Sequence, residues 1–405
     1  MKAAGAIATL GALGLAASFI ACASDDDPTL AAPDNESGVP GLDAAADADA
    51  GQSEAGPEDE PCVPDALCPF GPFDPSTPGG ALDLRTRIHL IRGRSASDVW
   101  ALGARGAVAH FDGTAWSRSE TGALESFQAV WLRETSEIAL ASLDVVYARN
   151  AGLDGPDGGV PSEGGWLRTN PPAMGRSDLA FADAVRSVWA PPSAEWVWGT
   201  SVNYSLPESS STGFNENGLW RARVAPGTQT LEVAPVLPAR ACARLGCVQM
   251  LEIHGTSADD LWAVGVRGAA FQITGAQSET PTITAFDSQT WAALEGVWAA
   301  SATDVWTVGG AGTIRHYTGD AVSLDVVDEV PTTEDLHGVW GSSSSDVWAV
   351  GDAATVLHYD GATWSRVEVR GLGERKPNLF TVWSPAPGHV WVGGEGVILS
   401  LGGKP

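Results

Sequence analysis

Basic residues are scarce in this chain of 405 residues: 23 Lys+Arg stand against 50 Asp+Glu, for a formal net charge of −27. That balance argues against nucleic acid and an anionic membrane surface as partners, since both favour a cationic footprint. The deficit is uneven. Residues 1–80 hold 14 acidic side chains and one basic one, Lys2, whereas the remainder holds 36 acidic and 22 basic. Cysteine is also scarce, at five residues, and no Cys-x-x-Cys pair occurs. Cys62/Cys68 and Cys242/Cys247 bracket five and four residues, which suits two local disulfides in an oxidising compartment better than a four-cysteine zinc site. Gly-x-Ser-x-Gly, His-Glu-x-x-His and a phosphate-binding loop are absent, so no motif supports acyl transfer, zinc proteolysis or NTP chemistry.

What is present begins with an address. Lys2 and the apolar run Ala3–Ala21 have the form of a secretion signal. The run ends Ser18-Phe19-Ile20-Ala21-Cys22, which resembles the lipobox of bacterial lipoproteins, with Phe19 where Leu or Val is usual. That resemblance implies a signal peptide over 1–22, acylation of Cys22 and, with Ala23 following, sorting to the outer membrane. Acyl chains would hold the protein to a lipid bilayer. Ordinary signal-peptidase cleavage, giving a secreted or periplasmic protein, and an uncleaved anchor are the alternatives. Asp25–Pro61 has almost no large apolar side chain to offset chain entropy. Residues 23–80 are therefore expected to form a disordered acidic tether, and 81–405 the folded domain.

Tryptophan is abundant, at 17 residues, and most of it is periodic. Leu336–Val369 holds four short strand-like segments: Leu336–Trp340, Asp346–Val350, Thr355–Tyr359 and Thr363–Val369. Asp360-Gly361 is read as a two-residue type I′ turn between the last two. The same unit recurs around Trp298/Trp306 and Trp383/Trp391, with the second Trp eight positions after the first. Trp100 and Trp262 are second-strand tryptophans whose first-strand partners have become Arg92 and His254, and Trp131 and Trp189 are first-strand ones. Spacings of 42 and 43 residues between Trp298, Trp340 and Trp383 match a four-stranded blade. The chain is thus predicted to be all-β, a seven-bladed β-propeller, with six blades as the alternative. Insertions are expected at 150–165, 204–218 and 225–249. The last unit stops short of a fourth strand, and Ala81–Thr86, which alternates apolar with polar, is expected to supply it.

The pattern Ser-x-x-Asp-Val-Trp-Ala-Val-Gly followed by Val-Leu-His-Tyr-Asp-Gly-x-x-Trp resembles the repeats of bacterial BNR/YVTN-type propellers and of tectonin-type propeller lectins. The resemblance covers about 82–405, implies the fold, and says little of function.

Repetition also sorts the residues. Tryptophans at fixed phase are expected between blades. Trp196, Trp198, Trp220 and Trp291 lie outside the pattern. Trp196 and Trp198 alternate along one strand and, with Trp220, are the candidate ligand platform. His110, His316 and His358 recur once per blade and are read as polar partners within the scaffold. Asp98, Asp260, Asp304 and Asp346 are expected to accept local backbone N–H groups. Asp154 and Asp157 are a candidate Ca²⁺ pair, and no other metal or cofactor site is expected. Carboxylates spread round a ring do not make a glycosidase pair. The expected function is a non-catalytic module, monomeric, binding an envelope or extracellular protein. Lectin-like glycan binding and a degenerate glycoside hydrolase or lyase are the alternatives.

Overall fold

The Val-Trp-x-Val-Gly segments are too apolar to lie at a surface, and both of their faces are covered. In Asp346–Gly351 and its counterparts Asp98–Gly103, Asp260–Gly265, Asp304–Gly309 and His389–Gly394, every residue after the first is buried. Each is the second strand of a four-stranded sheet packed between two neighbouring sheets. The structure, a computed structural model, describes residues 61–155, 159–169, 184–202, 218–237, 241–247 and 249–403. Cys22, the tether as far as residue 60, Asp157 and most of the 204–218 insertion lie outside the described residues.

Seven such sheets form the blades: 88–118, 129–168, 184–235, 250–285, 294–326, 336–366, and 379–401 with one added strand. First strands of neighbouring blades touch all the way round, blade 7 against blade 1 included. The ring therefore closes at seven blades and not six. Within each sheet the strands are antiparallel. The fourth-to-first and second-to-third connections consequently emerge on one face of the ring, here the mouth face, and the other turns on the opposite face.

The periodic tryptophans hold blade to blade. Trp100 of blade 1 meets Trp166 of blade 2 at 5.8 Å between ring centroids, and Trp262 of blade 4 meets Tyr317 of blade 5 at 4.6 Å. Trp306 meets Tyr359 and Trp364 of blade 6, and Trp391 of blade 7 meets Phe111 and Trp116 of blade 1. Each second-strand indole thus packs on the outer strands of the next blade, which is why the residue recurs at one phase.

The recurring histidines are polar partners within their blades. His110, His316 and His358 place Nε2 at 2.8, 2.7 and 2.8 Å from Asp98, Asp304 and Asp346. In all three the imidazole stacks on the second-strand indole. In blades 1 and 6 the indole N–H donates to the same carboxylate. The expectation that these aspartates accept backbone N–H groups is corrected. They accept side-chain donors, because the second strand carries them inward, under the imidazole. Burial alone would raise the Asp346 carboxyl, but hydrogen bonds from His358, Ser342 and Trp348 outweigh it and hold the pKa down.

Three boundaries also differ from expectation. The strand that completes blade 7 is Leu67–Pro69, not Ala81–Thr86: Leu67, Cys68 and Pro69 pair with Leu401, Ser400 and Leu399. Leu82 is buried but Leu84 is 60% exposed, so the alternation of 81–86 is not that of a half-covered strand. Instead Thr86 N–H donates to Asp83 in a turn. Residues 61–80 therefore belong to the folded domain and not to a tether. In the predicted insertion at 225–249, Leu231–Pro235 is the fourth strand of blade 3, with Leu231 buried. Finally, Tyr359 pairs with Trp364, so the turn between them has four residues. Only Gly361 takes positive φ, while the Asp360 carboxylate accepts the N–H groups of Ala362 and Thr363.

Both local disulfides form. Cys62–Cys68 ties the entry of the closing strand, and Cys242–Cys247 spans the short helix Ala241–Leu245 before blade 4.

Candidate functional site

The seven first strands surround the axis, and six of them carry a β-bulge at one place. Pairing skips a single residue in each: His89, Arg186, Leu251, Glu295, His337 and Phe380. In blade 2, Gln128 occupies the corresponding position before Ala129. A bulge turns the extra side chain out of the regular alternation, here at the mouth-face end of each first strand. The positions correspond from blade to blade, yet apart from His89 and His337 no two of their side chains are alike.

Neighbouring bulge residues meet. His337 places Nδ1 2.8 Å from Glu295 of blade 5 and Nε2 2.8 Å from Asp352, and its ring lies 5.5 Å from that of Phe380 of blade 7. Burial alone would lower His337, but these two carboxylates outweigh it and raise its pKa. His89 is lowered, chiefly by burial, with the positive charges of Arg87 and Arg186 adding to it.

Below this ring the axis is plugged. Arg92 of blade 1 and Glu252 of blade 4 face each other across the ring at 3.5 Å, with side chains 20% and 22% exposed. The Arg92 guanidinium lies 4.3 Å over Trp340 of blade 6, and its Nη1 donates to Ile91 O at 2.8 Å. Ser187 Oγ of blade 3 donates to Glu252 Oε1 at 2.8 Å. Burial raises the Glu252 carboxyl in spite of Arg92 and Ser187. His254, beside Trp340 and Trp189, accepts the Ala299 N–H on Nδ1 at 3.1 Å, which leaves its proton on Nε2. Five blades thus meet on one cluster.

The plug residues were visible in the sequence only as failures of the repeat. Arg92 and His254 stand where other first strands carry Trp131, Trp189, Trp298, Trp340 and Trp383. An indole cannot accept an amide hydrogen bond or bear charge, so these two replacements were the signal.

His254 supplies a test. Burial, with a smaller contribution from Arg92, lowers its pKa from 6.5 to about 3. As pH falls below 6.5 the unfolded chain gains a proton that the folded chain refuses. The stability from this group is complete above that pH and declines towards the folded pKa. At pH 5 the loss is about 2 kcal/mol relative to pH 7. His254→Gln should remove that much of the decline, read from urea midpoints at both pH values.

The predicted platform of tryptophans is overturned. Trp196, Trp198 and Trp220 are 5%, 0% and 4% exposed. Trp196 is covered by the guanidinium groups of Arg221 and Arg223, both at 4.3 Å, and Trp198 donates its indole N–H to Ala276 O at 2.9 Å. Trp196 and Trp198 do share a face, but it is packed on blade 4 beside Cys242, Cys247 and Met250. Trp291 is the exposed tryptophan, at 85%. Asp154 is exposed, and its backbone N–H donates to Gln229 O.

The mouth face also shows apolar side chains. Leu84, Leu124, Leu245 and Trp291 are all exposed and come from the segments that lead into blades 1, 2, 4 and 5.

No family model and no curated protein matches the chain. Solved structures do. YCF48 from Cyanidioschyzon merolae is 15% identical over 79% of this chain and 96% of its own, with a TM-score of 0.56. YCF48 bound to D1 peptide is 11% identical over 80% and 97%, with a TM-score of 0.55. Virginiamycin B lyase from Staphylococcus aureus is 11% identical over 78% and 94%, again at 0.55. At these identities the likeness carries the fold, and the chain is a β-propeller.

Proposed function

We propose that this chain is an envelope-anchored lipoprotein, acylated at Cys22, whose propeller is a non-catalytic module binding a protein partner on its mouth face. The observation that carries the binding reading is the bulge ring. Six bulges and the corresponding position of blade 2 hold His89, Gln128, Arg186, Leu251, Glu295, His337 and Phe380, so a repeating scaffold has been made asymmetric at one mouth. Side chains on a rigid scaffold that differ where the fold has no need of difference suit recognition. Exposed Leu124, Leu245 and Trp291 around that mouth suit a protein surface. A structural neighbour with a bound peptide, YCF48, supports the reading.

The test is site-specific photocrosslinking in the native envelope. A crosslinker at Leu124, Leu245 or Trp291 should capture one common protein, and one at Ala302 or Ser344, in first-to-second turns on the opposite face, should not. Capture from the opposite face alone overturns the reading. Mass spectrometry of the mature N-terminus tests Cys22; a chain starting unacylated at Ser24 overturns anchoring. The exposed ring of Trp291 favours the glycan reading as the second choice, and glycan-array binding that disappears in Trp291→Ala would establish it.

A further inference from the structure

The seam between blades 7 and 1 differs from the other six because the incoming chain crosses it. After the closing strand, residues 70–80 form a strap tied at both ends: Phe70 N–H donates to Ile398 O of blade 7, and Arg118 N–H of blade 1 donates to Pro78 O, each at 2.9 Å. Strap and blades enclose a hollow of about 790 Å³ walled by Phe70, Phe73, Leu372 and Ile398. A second hollow of about 480 Å³ adjoins it through Leu84 and Arg375. The second is cationic. Arg85, Arg87, Arg375 and Lys376 line it against one carboxylate, Glu395.

Four cations on one acid are out of character for a chain of net charge −27. Glu395 is engaged by Arg87 at 2.9 Å, and Arg375 donates to the main-chain oxygens of Glu395 and Gly396. Arg85 and Lys376 are exposed and form no ion pair with another described residue. Two of the cations belong to the segment entering blade 1 and two to the segment entering blade 7. Charges on both walls suit carboxylates spaced along a chain better than a single phosphate group.

We propose that this groove takes a peptide segment of a protein partner that carries several carboxylates beside a large apolar side chain. The carboxylates lie between Arg85 and Lys376, and the apolar side chain enters the Phe70/Phe73 hollow. The rest of this acidic surface repels such a segment, so the groove both attracts and places it. The proposal rests on the reading of the chain as a protein-binding module and adds a place and a chemistry to it.

The experiment is fluorescence anisotropy with the whole protein and a fluorescein-labelled decapeptide bearing four Glu or Asp and one Phe. Comparison probes are the same peptide with Gln and Asn in place of the acids, and phosphatidylglycerol vesicles. The expected result is saturable binding of the acidic peptide, weakened about tenfold or more by Arg85→Glu with Lys376→Glu, and by the amide peptide. Arg267→Glu, an exposed cation on blade 4 that lines neither hollow, should leave it unchanged. Both reversed side chains are exposed and form no ion pair with another described residue, so an unaltered melting curve separates lost binding from lost fold. Equal binding of the acidic and amide peptides, or wild-type affinity in the double variant, overturns the proposal. Binding to the vesicles but to neither peptide overturns it in favour of a lipid headgroup. No peptide binding alongside a captured partner at Trp291 removes the groove and keeps the module; peptide binding without any captured partner does the reverse.

Discussion

A chain beginning at Ala81 is expected to show no cooperative thermal transition, whereas one beginning at Pro61 should melt normally. The difference between them is the closing strand. Leu67 is fully buried in a cluster with Trp348 of blade 6 and Val397 and Leu399 of blade 7. It also bridges two blades through the main chain: Leu67 N–H donates to Glu368 O, and Leu67 O accepts from Arg370, both at 2.9 Å. Removing the strand exposes that cluster, leaves Leu399 and Leu401 on an open sheet edge, and takes away the strap that covers Ile398. Burial of two or three large apolar side chains at about 2–3 kcal/mol each is comparable to the whole stability of a domain. Had Ala81–Thr86 closed the ring, the two chains would melt alike, and that result would overturn the closure seen here.

Gly309→Ala is expected to cost about 2–4 kcal/mol in urea unfolding, although nothing in the backbone conformation demands glycine. Gly309 sits at φ −173° and ψ −158°, extended backbone open to any residue. The reason is proximity. A methyl group there would fall within the contact radius of Ala293 O, and that oxygen accepts the Gly310 N–H at 3.0 Å. The segment leading into the first strand presses on the end of the second, so the methyl can be admitted only by breaking that hydrogen bond. Gly103, Gly265, Gly351 and Gly394 face the oxygens of Arg87, Gln249, Asp335 and Asn378 in the same way. Gly388 is the control. A Cβ there meets open space and φ is +80°, so Gly388→Ala should cost only about 1 kcal/mol. Equal costs at the two positions would refute the packing explanation.

This glycine shows why some of the molecule was legible in the sequence and some was not. Val-Trp-x-Val-Gly announced itself because a blade's middle strand meets the same neighbours in every repeat, and equal surroundings select equal residues. Blade number, tryptophan phase and the pairing of His358 with its own blade follow from that logic. The closing strand escaped it. Leu67–Pro69 is three residues long, ends in proline, and has Leu401 as a partner at the far end of the chain; no local pattern reports such a pairing. Ala81–Thr86 had the better local pattern and lost, because Leu84 found nothing to cover it. Trp196 and Trp198 misled for the converse reason: Trp198, set nine positions after Trp189 instead of eight, pairs with it as the second-strand tryptophan of blade 3, and Trp196 packs beside it on blade 4 with Cys242 and Cys247. The plug is an intermediate case. Arg92 and His254 appeared as blemishes in a tryptophan series, and only their meeting on the axis with Glu252 gives them a common purpose.

The closing strand has a mechanical consequence. Any pull on the segment preceding Pro61 arrives at a residue whose carbonyl oxygen is held by Arg370 at 3.2 Å, and passes at once into Cys62. From there the disulfide carries it to Cys68, in the middle of the strand, without stretching residues 63–67. Load therefore enters the middle of a hydrogen-bonded strand and not its first residue, Leu67, from which the bonds would break in succession. Reduction of that disulfide would move the point of attack to the tip, so the redox state of two cysteines sets how firmly the ring is latched against traction.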